Sequence, residues 1–364
     1  MQRIKFVIVI TVLAMLSSPV FAQKSSSDEA LRQVYRQATD LYQKEKFASA
    51  QNLFDRLATE AATTDAAMAC EACYYGAVCA ERLSNNDADF RLSEFLRLYP
   101  QSKHCNMAYF YLGNYHYAAG DYEKALKYYK KVQSREVEYG HRSEYNFKVG
   151  YCYFNDEDYA EAKKFFQQEI NGKSKYTSAA LYYYAHLQYM DGKYDLALRN
   201  FEKLQSDHRF AKIVPSYIAR IYYYLGKNDE LLQLAPTLLL EEDVFKKNEI
   251  RQMVAEVYFN RGEYKNALDY YSAAMRNKDD DATDPTQTLA TGTVRKGKKS
   301  NSAALVASCT PQDSYYQIGY CHYMLHQYDS AQYYLSKKTV CEDSVAQHAL
   351  YVLGDVDIKL GRKN

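Results

Sequence analysis

One recurring pattern constrains this chain more than any other feature. Within Leu112–Ala125, the pair Leu112-Gly113 leads through an aromatic run to Gly120-Asp121-Tyr122, and then to Ala125. Gly just past an apolar-periodic run is a helix stop, and Asp directly after it is a helix start. The spacing predicts two helices joined by a tight turn, the first closing at Gly120 and the second running through Tyr129 and Val132. Small residues at Gly113 and Ala125 let the two helices approach closely. The small residue of the second helix returns at Ala50, Ala88, Ala125, Ala162, Ala197, Leu231, Ala267 and Ala331, at intervals of 38, 37, 37, 35, 34, 36 and 64. Six intervals bracket the roughly 34-residue period of a helix–turn–helix repeat, and the last equals one period plus about 30 residues of insertion. A ninth first helix begins near Gln347, with Leu353-Gly354 and Gly361. The chain is expected to be all-α, with about eight helix–turn–helix repeats and a final first helix.

Composition supports that reading. Only 14 Gly and 6 Pro among 364 residues leave little punctuation for a sandwich, a barrel or a collagen-like chain. Each repeat must bury its apolar face on the next. The 39 Tyr, with no Trp, supply much of that surface. A balance of 46 Lys+Arg against 45 Asp+Glu offers no basic footprint, so no nucleic-acid partner is expected.

These residues resemble the tetratricopeptide repeats over 28–275 and 312–364. The pairs Leu112-Gly113, Val149-Gly150, Ile318-Gly319 and Leu353-Gly354 carry the resemblance, as do the turns at Gly120, Gly192, Gly226 and Gly262. Tyr122, Tyr159, Tyr194, Tyr264 and Tyr328 follow the turns, and Pro100 closes a second helix. The family's early Trp is absent, and the sixth repeat (Leu231, Ala235, Pro236) departs from the pattern. The resemblance implies an α-α superhelix, a tetratricopeptide solenoid whose first helices line a groove that holds a protein partner. The run Phe95–Lys103, leading into Ala108-Tyr109, is similar to repeats of periplasmic envelope members, including outer-membrane assembly lipoproteins and cell-division coordinators.

Residues 1–22 read as a signal peptide. Arg3 and Lys5 precede an apolar run to Leu16, and Val20-Phe21-Ala22 supplies the small residues of a cleavage site. The run is shorter than the ~20 residues a bilayer span needs. The mature protein is therefore expected in the periplasm, not integral to the membrane but able to associate with the outer membrane. Repeats one to seven occupy 23–275, and the truncated ninth repeat shares 312–364 with the eighth. Between them, 276–311 loses the period, separates acidic Asp279-Asp280-Asp281 from basic Arg295–Lys299, and reads as a disordered low-complexity insertion. The open last repeat offers a surface for oligomerisation.

Chemistry-bearing patterns are sparse. Cys70 and Cys73 share a helix, and Cys105 opens the next repeat. Such cysteines are either small packing residues or, in an exported chain, a disulfide for which Cys70 with Cys105 is the first pair to test. His322 and His326 have helical four-residue spacing but lack the neighbouring Glu of a metalloprotease, so no metal is assigned. No catalytic constellation and no cofactor motif stand out; a non-enzyme is expected.

What remains is a surface. Four residues after the small position of each first helix stand Tyr117, Phe154, Tyr189, Tyr223, Phe259 and Tyr323, with Tyr42 and Ala80 in the first two repeats. Three residues before the small position, on the same face, stand Phe110, Phe147, Tyr182 and Tyr316, and between the two columns Asn114, Tyr151, His186 and Arg220. These rings either pack helix on helix or line a binding face, where Tyr gives large contact area at small rotamer cost. The functional expectation is a non-catalytic envelope scaffold binding a peptide or extended protein segment along these columns. The alternative is glycan or peptidoglycan binding on the same aromatic face.

Overall fold

The computed structural model describes residues 28–241, 244–276, 311–338 and 344–362. The leader at 1–22 and positions 277–310 of the insertion lie outside the described residues. Among the described residues the chain is all-α, with no strand. Its helices are α1 (28–43), α2 (Phe47–Ala61), α3 (Ala66–Arg82), α4 (Ala88–Leu98), α5 (Cys105–Ala118) and α6 (Tyr122–Tyr129). They continue with α7 (Arg142–Asn155), α8 (Tyr159–Gln167), α9 (Thr177–Met190), α10 (Tyr194–Glu202), α11 (Val214–Tyr224) and α12 (Asn228–Leu240). The last are α13 (Lys247–Asn260), α14 (Tyr264–Arg276), α15 (Pro311–Met324), α16 (Tyr328–Lys338) and α17 (Ser344–Lys359). Odd and even helices pair as hairpins, the architecture of an α-α superhelix, and α17 is the ninth first helix.

Every small residue read from the period is fully buried on its second helix. Seven of the eight occupy the fourth helical residue; the exception is Ala88, the first residue of α4. There the Ala88 N–H bonds the Asn85 carbonyl at 3.1 Å, so a tighter three-residue turn brings the same methyl into place. The reason for small residues at the crossing is visible at Gly113. A methyl there would lie inside the Tyr129 ring, and one on Gly319 would meet the Leu335 Cγ at 2.7 Å.

The turns share one geometry. The residue past each first helix is left-handed, and the next N–H bonds the carbonyl five residues back, as Asp121 does to His116 at 3.0 Å. Glycine fills this position at Gly120, Gly192, Gly226, Gly262 and Gly361, but Glu45, Ser84, Glu157 and His326 adopt it too. A side chain in this conformation costs about 1–2 kcal/mol, whereas Gly loses about 0.5–1 kcal/mol of backbone entropy. Glu157→Gly should therefore raise unfolding free energy by about 0.5–1 kcal/mol. A urea midpoint that falls in the variant would refute this. At Asp121 the N-cap forms as the sequence predicts, its carboxylate accepting from the Lys124 N–H at 3.0 Å.

The chain comprises two compact units, Met1–Phe165 and Phe166–Asn364. Phe54, Phe95, Phe110, Tyr111 and Tyr129 centre the core of the first, and Phe166, Tyr182, Phe201 and Phe210 that of the second. The sixth hairpin forms despite Pro236 inside α12, because Leu231, Ala235 and Leu238 still bury one face. Ala267 and Tyr271 of α14 share a cluster with Ile318 and Cys321 of α15, so hairpin stacking continues across the insertion.

Candidate functional site

The column rings carry a packing task of their own. Across six of the eight hairpin turns, a ring at the end of the first helix meets the ring that starts the second, five residues later. The pairs are Tyr42–Phe47, Tyr117–Tyr122, Phe154–Tyr159, Tyr189–Tyr194, Phe259–Tyr264 and Tyr323–Tyr328, with centroids 5.4–6.4 Å apart. Edge-to-face and tilted pairs at this distance contribute about 0.5–1.5 kcal/mol beyond area burial. In the sixth repeat the starting position is Asn228, which carries no ring, and Tyr223 meets Tyr224 at 5.7 Å. A second brace joins rings twelve residues apart along four of the hairpins. His116–Tyr128, Tyr153–Phe165, Tyr258–Tyr270 and His322–Tyr334 stack at 5.3–5.8 Å, within 23° of parallel. In the fifth hairpin the same spacing carries a polar pair, the Asn200 amide donating to Gln188 Oε1 at 2.8 Å.

Burial divides the remaining column residues. Phe110, Phe147 and Tyr182 are core residues, and Tyr117, Tyr151 and Asn114 are also buried. Phe154, His186, Tyr189, Tyr223, Phe259, Tyr316 and Tyr323 are half-buried. Tyr153, Tyr222 and Tyr258, which helical spacing alone assigns to the interior, are half-buried as well. A first helix touches its own second helix and the next first helix, so the fully covered stripe lies one position round from the one simple periodicity selects.

In the second unit the columns converge on Arg220. Its side chain is 3% exposed, and its guanidinium lies 4.5 Å from the Tyr217 ring, 5.5 Å from Phe245 and 5.6 Å from Tyr189. Tyr217 is in turn stacked on Phe201, with centroids 4.9 Å apart and 13° between planes. Arg220 Nε donates to the Ser216 carbonyl at 3.2 Å, and Nη1 reaches Glu249 Oε2 at 3.4 Å. Lys246 holds the other oxygen of Glu249 at 2.6 Å. Arg220 Nη2, the Tyr189 hydroxyl and the Ser216 hydroxyl are buried without a hydrogen-bond partner. Burial pushes the Tyr189 phenol above its usual range. The cluster of Arg220, Lys246 and Glu249 carries one net positive charge.

The first unit holds a different network. Asn114 accepts from the Tyr129 hydroxyl at 2.7 Å and donates to Glu144 at 3.3 Å, so its amide is already engaged. Lys148 donates to the same carboxylate at 2.6 Å and sits 5.2 Å from the Tyr117 ring. Burial alone would raise the Glu144 carboxyl, but the His141 hydrogen bond and the Lys148 and Arg82 cations hold it down at about 2. Tyr117, Tyr122 and Tyr151 meet edge to face beside this network, with centroids 5.1–5.8 Å apart.

Residues 107–136 match the family model described as tetratricopeptide repeat. That segment contains the α5–α6 turn, and its left-handed turn and buried small residue recur in the other hairpins. The stretch 107–136 is a tetratricopeptide repeat. Among solved structures the chain is similar to a tetratricopeptide repeat protein from Parabacteroides merdae, 16% identical with a TM-score of 0.40, over 68% of this chain and 93% of that one. It is also similar to the C-terminal part of a TPR repeat-containing protein from Cytophaga hutchinsonii, 15% identical with a TM-score of 0.41, over 87% and 99%. No curated protein matches the sequence. The tetratricopeptide architecture is that of a protein–protein interaction scaffold, and proteins of this kind are generally non-catalytic.

Cys70 and Cys105 carry free thiols. The Cys70 Sγ lies 3.5 Å from Ser102 Oγ, and the Cys105 thiol donates to the Tyr99 carbonyl at 3.2 Å. His322 faces Gln327 at 2.6 Å, whereas His326 is the left-handed turn residue and faces the Tyr328 hydroxyl at 3.0 Å. The turn carries the second imidazole off the helix, so four-residue spacing does not place the two rings together. Tyr217, Tyr224 and Phe245 belong to the Arg220 surroundings but escape the column reading. Tyr217 and Tyr224 stand three before and four after Arg220, a helical-neighbour spacing that picks out both once Arg220 is singled out. Phe245 precedes α13 outside any repeat position and has no such signal.

Proposed function

We propose that this protein is an exported scaffold of the cell envelope that holds an extended protein segment against the column face of its second unit. The observation that carries the reading is the pair of buried, unpartnered donors on Arg220 and Tyr189 beside half-buried Tyr223. A buried donor left unpaired costs about 1–3 kcal/mol, and a peptide carbonyl laid along α9 and α11 would satisfy it. Aromatic surface around the donors supplies the apolar part of such an interface. Asn114, occupied by Tyr129 and Glu144, belongs to the framework of the first unit and not to this contact.

Because Tyr189 also packs against Tyr194 and Tyr217, its hydroxyl is best removed without its ring. Tyr189→Phe combined with Tyr223→Ala should weaken partner capture about tenfold, roughly one hydrogen bond plus part of an aromatic contact. Crosslinking in cell envelopes, with partners identified in the wild type, measures that loss, and circular dichroism checks that helical content is kept. Undiminished capture by the folded double variant would sink the reading. Retention of peptidoglycan by the wild type, lost in the variant while no protein is captured, would transfer the site to the glycan alternative.

A further inference from the structure

Glu81 stands in the last turn of α3, directly after Ala80 of the column. Its side chain is 11% exposed, and its Oε2 is buried without a hydrogen-bond partner. The Arg82 Nε stands 3.9 Å from that oxygen, beyond hydrogen-bonding reach. The charged and titratable groups facing Glu81 come from α3, α5, α7 and the segment before α7, with Tyr42 of α1 further out. From α3 itself, the Arg82 guanidinium lies 5.3 Å from the ring of Tyr111, which belongs to α5. Tyr42 of α1 and Glu138, before α7, stand in the outer field of the Arg82–Tyr111 pair. At the start of α7, His141 lies 3.3 Å from the Tyr111 hydroxyl and 3.6 Å from Glu144. Lys148 of α7 is bound to Glu144 at 2.6 Å. None of these groups hydrogen-bonds the buried Oε2 of Glu81. A buried carboxylate without donors is far more costly than the neutral acid.

We propose that Glu81 is a proton-operated latch of the first unit: as the neutral acid it lets α3, α5 and α7 close around it, and as the carboxylate it draws Arg82 or Lys148 from their present partners and loosens that packing. Burial pushes the Glu81 carboxyl up to about 7, with Arg82 and Lys148 pulling it down and Glu144 adding to the rise. The folded value thus lies above the ordinary carboxylate value. The stability this group contributes is full below about pH 4.5 and is lost as pH rises through about 7. Glu144 works in the opposite sense, since its lowered carboxyl costs stability only as pH falls from about 4.5 towards 2. The two contributions meet near pH 4.5, where the first unit is tightest, and its hold weakens as pH rises from there through about 7. The latch concerns rigidity of the first unit and does not depend on what the second unit binds.

The test compares the full chain with Glu81→Gln, which keeps the shape and removes the charge. Thermal unfolding of the wild type should fall between pH 5.5 and pH 8.5, with amide protection over α3 and α5 falling beyond the change in intrinsic exchange rate. The variant should lose most of that slope and be more stable than the wild type at pH 8.5. An equal slope in the two proteins, or a variant less stable at pH 8.5, overturns the proposal. The wild-type Glu81 carboxyl carbon provides a measurement that needs no variant: a titration midpoint near 7 supports the latch, and one near 4.5 ends it.

Discussion

Phe201→Ala should cost the second unit about 3–5 kcal/mol, as truncation of a buried aromatic does elsewhere. Phe201 is fully buried on α10, stacked on Tyr217 and edge-on to Tyr182, with centroids 4.9 and 6.0 Å away. Its loss leaves a cavity beneath Tyr217, whose ring also carries the Arg220 guanidinium at 4.5 Å. The substitution is therefore expected to unseat Arg220 along with the core. Urea unfolding followed by circular dichroism gives the number, and Leu240→Ala, at an 83% exposed position, serves as the control within about 0.5 kcal/mol. A cost below about 1 kcal/mol for Phe201→Ala would mean that this ring stack is not a structural centre.

Gly113→Ala should destabilise the first unit by about 2–4 kcal/mol, although alanine is the better helix former. The added methyl would occupy the space of the Tyr129 ring. Moving that ring breaks its 2.7 Å hydrogen bond to Asn114, so overpacking and a lost buried hydrogen bond act together. The same substitution at Gly354 provides the contrast. An added Cβ there meets nothing within 4 Å, because no second helix is described against α17. Gly354→Ala should thus be neutral or stabilising by up to about 1 kcal/mol. If the two substitutions behave alike in thermal unfolding, the close crossing of α5 and α6 is not what demands glycine at 113.

Much of the hairpin architecture is legible in the sequence, because the determining signals are local. A small residue every repeat marks a crossing, and a glycine past each first helix marks a turn; both lie within a few residues of what they shape. Four turns lack the glycine signal. At Glu45, Ser84, Glu157 and His326 the flanking helices impose a left-handed residue that composition alone would not select. The i, i+5 ring pairs are likewise readable afterwards from Tyr122, Tyr159, Tyr194, Tyr264 and Tyr328, since the ring partner precedes each by five residues.

The character of the aromatic columns was not legible to the same degree. A stripe at helical spacing says which residues share a face, but not how many neighbours cover that face. Phe110 and Tyr182 are closed off by adjoining helices, whereas Tyr189 and Tyr223 keep an edge in the open. Nor could spacing show that Asn114 is spent on Tyr129 and Glu144 while Arg220 keeps an unpartnered Nη2. Both are single polar residues in the same column, and their difference lies in what the next hairpin brings.

By itself, the sequence determined the period, the hairpins, the buried small residues and an unusual wealth of tyrosine, because each follows from local helix chemistry. Only the tertiary structure decided which tyrosines brace turns, which stack along hairpins, and which leave donors unused around Arg220. It alone singled out Glu81, a glutamate unremarkable in sequence, as a buried carboxyl with no hydrogen-bond donor on its Oε2. The physical reason is common to all of these. Burial and hydrogen-bond satisfaction depend on groups about 30 residues away in sequence, delivered by the neighbouring repeat.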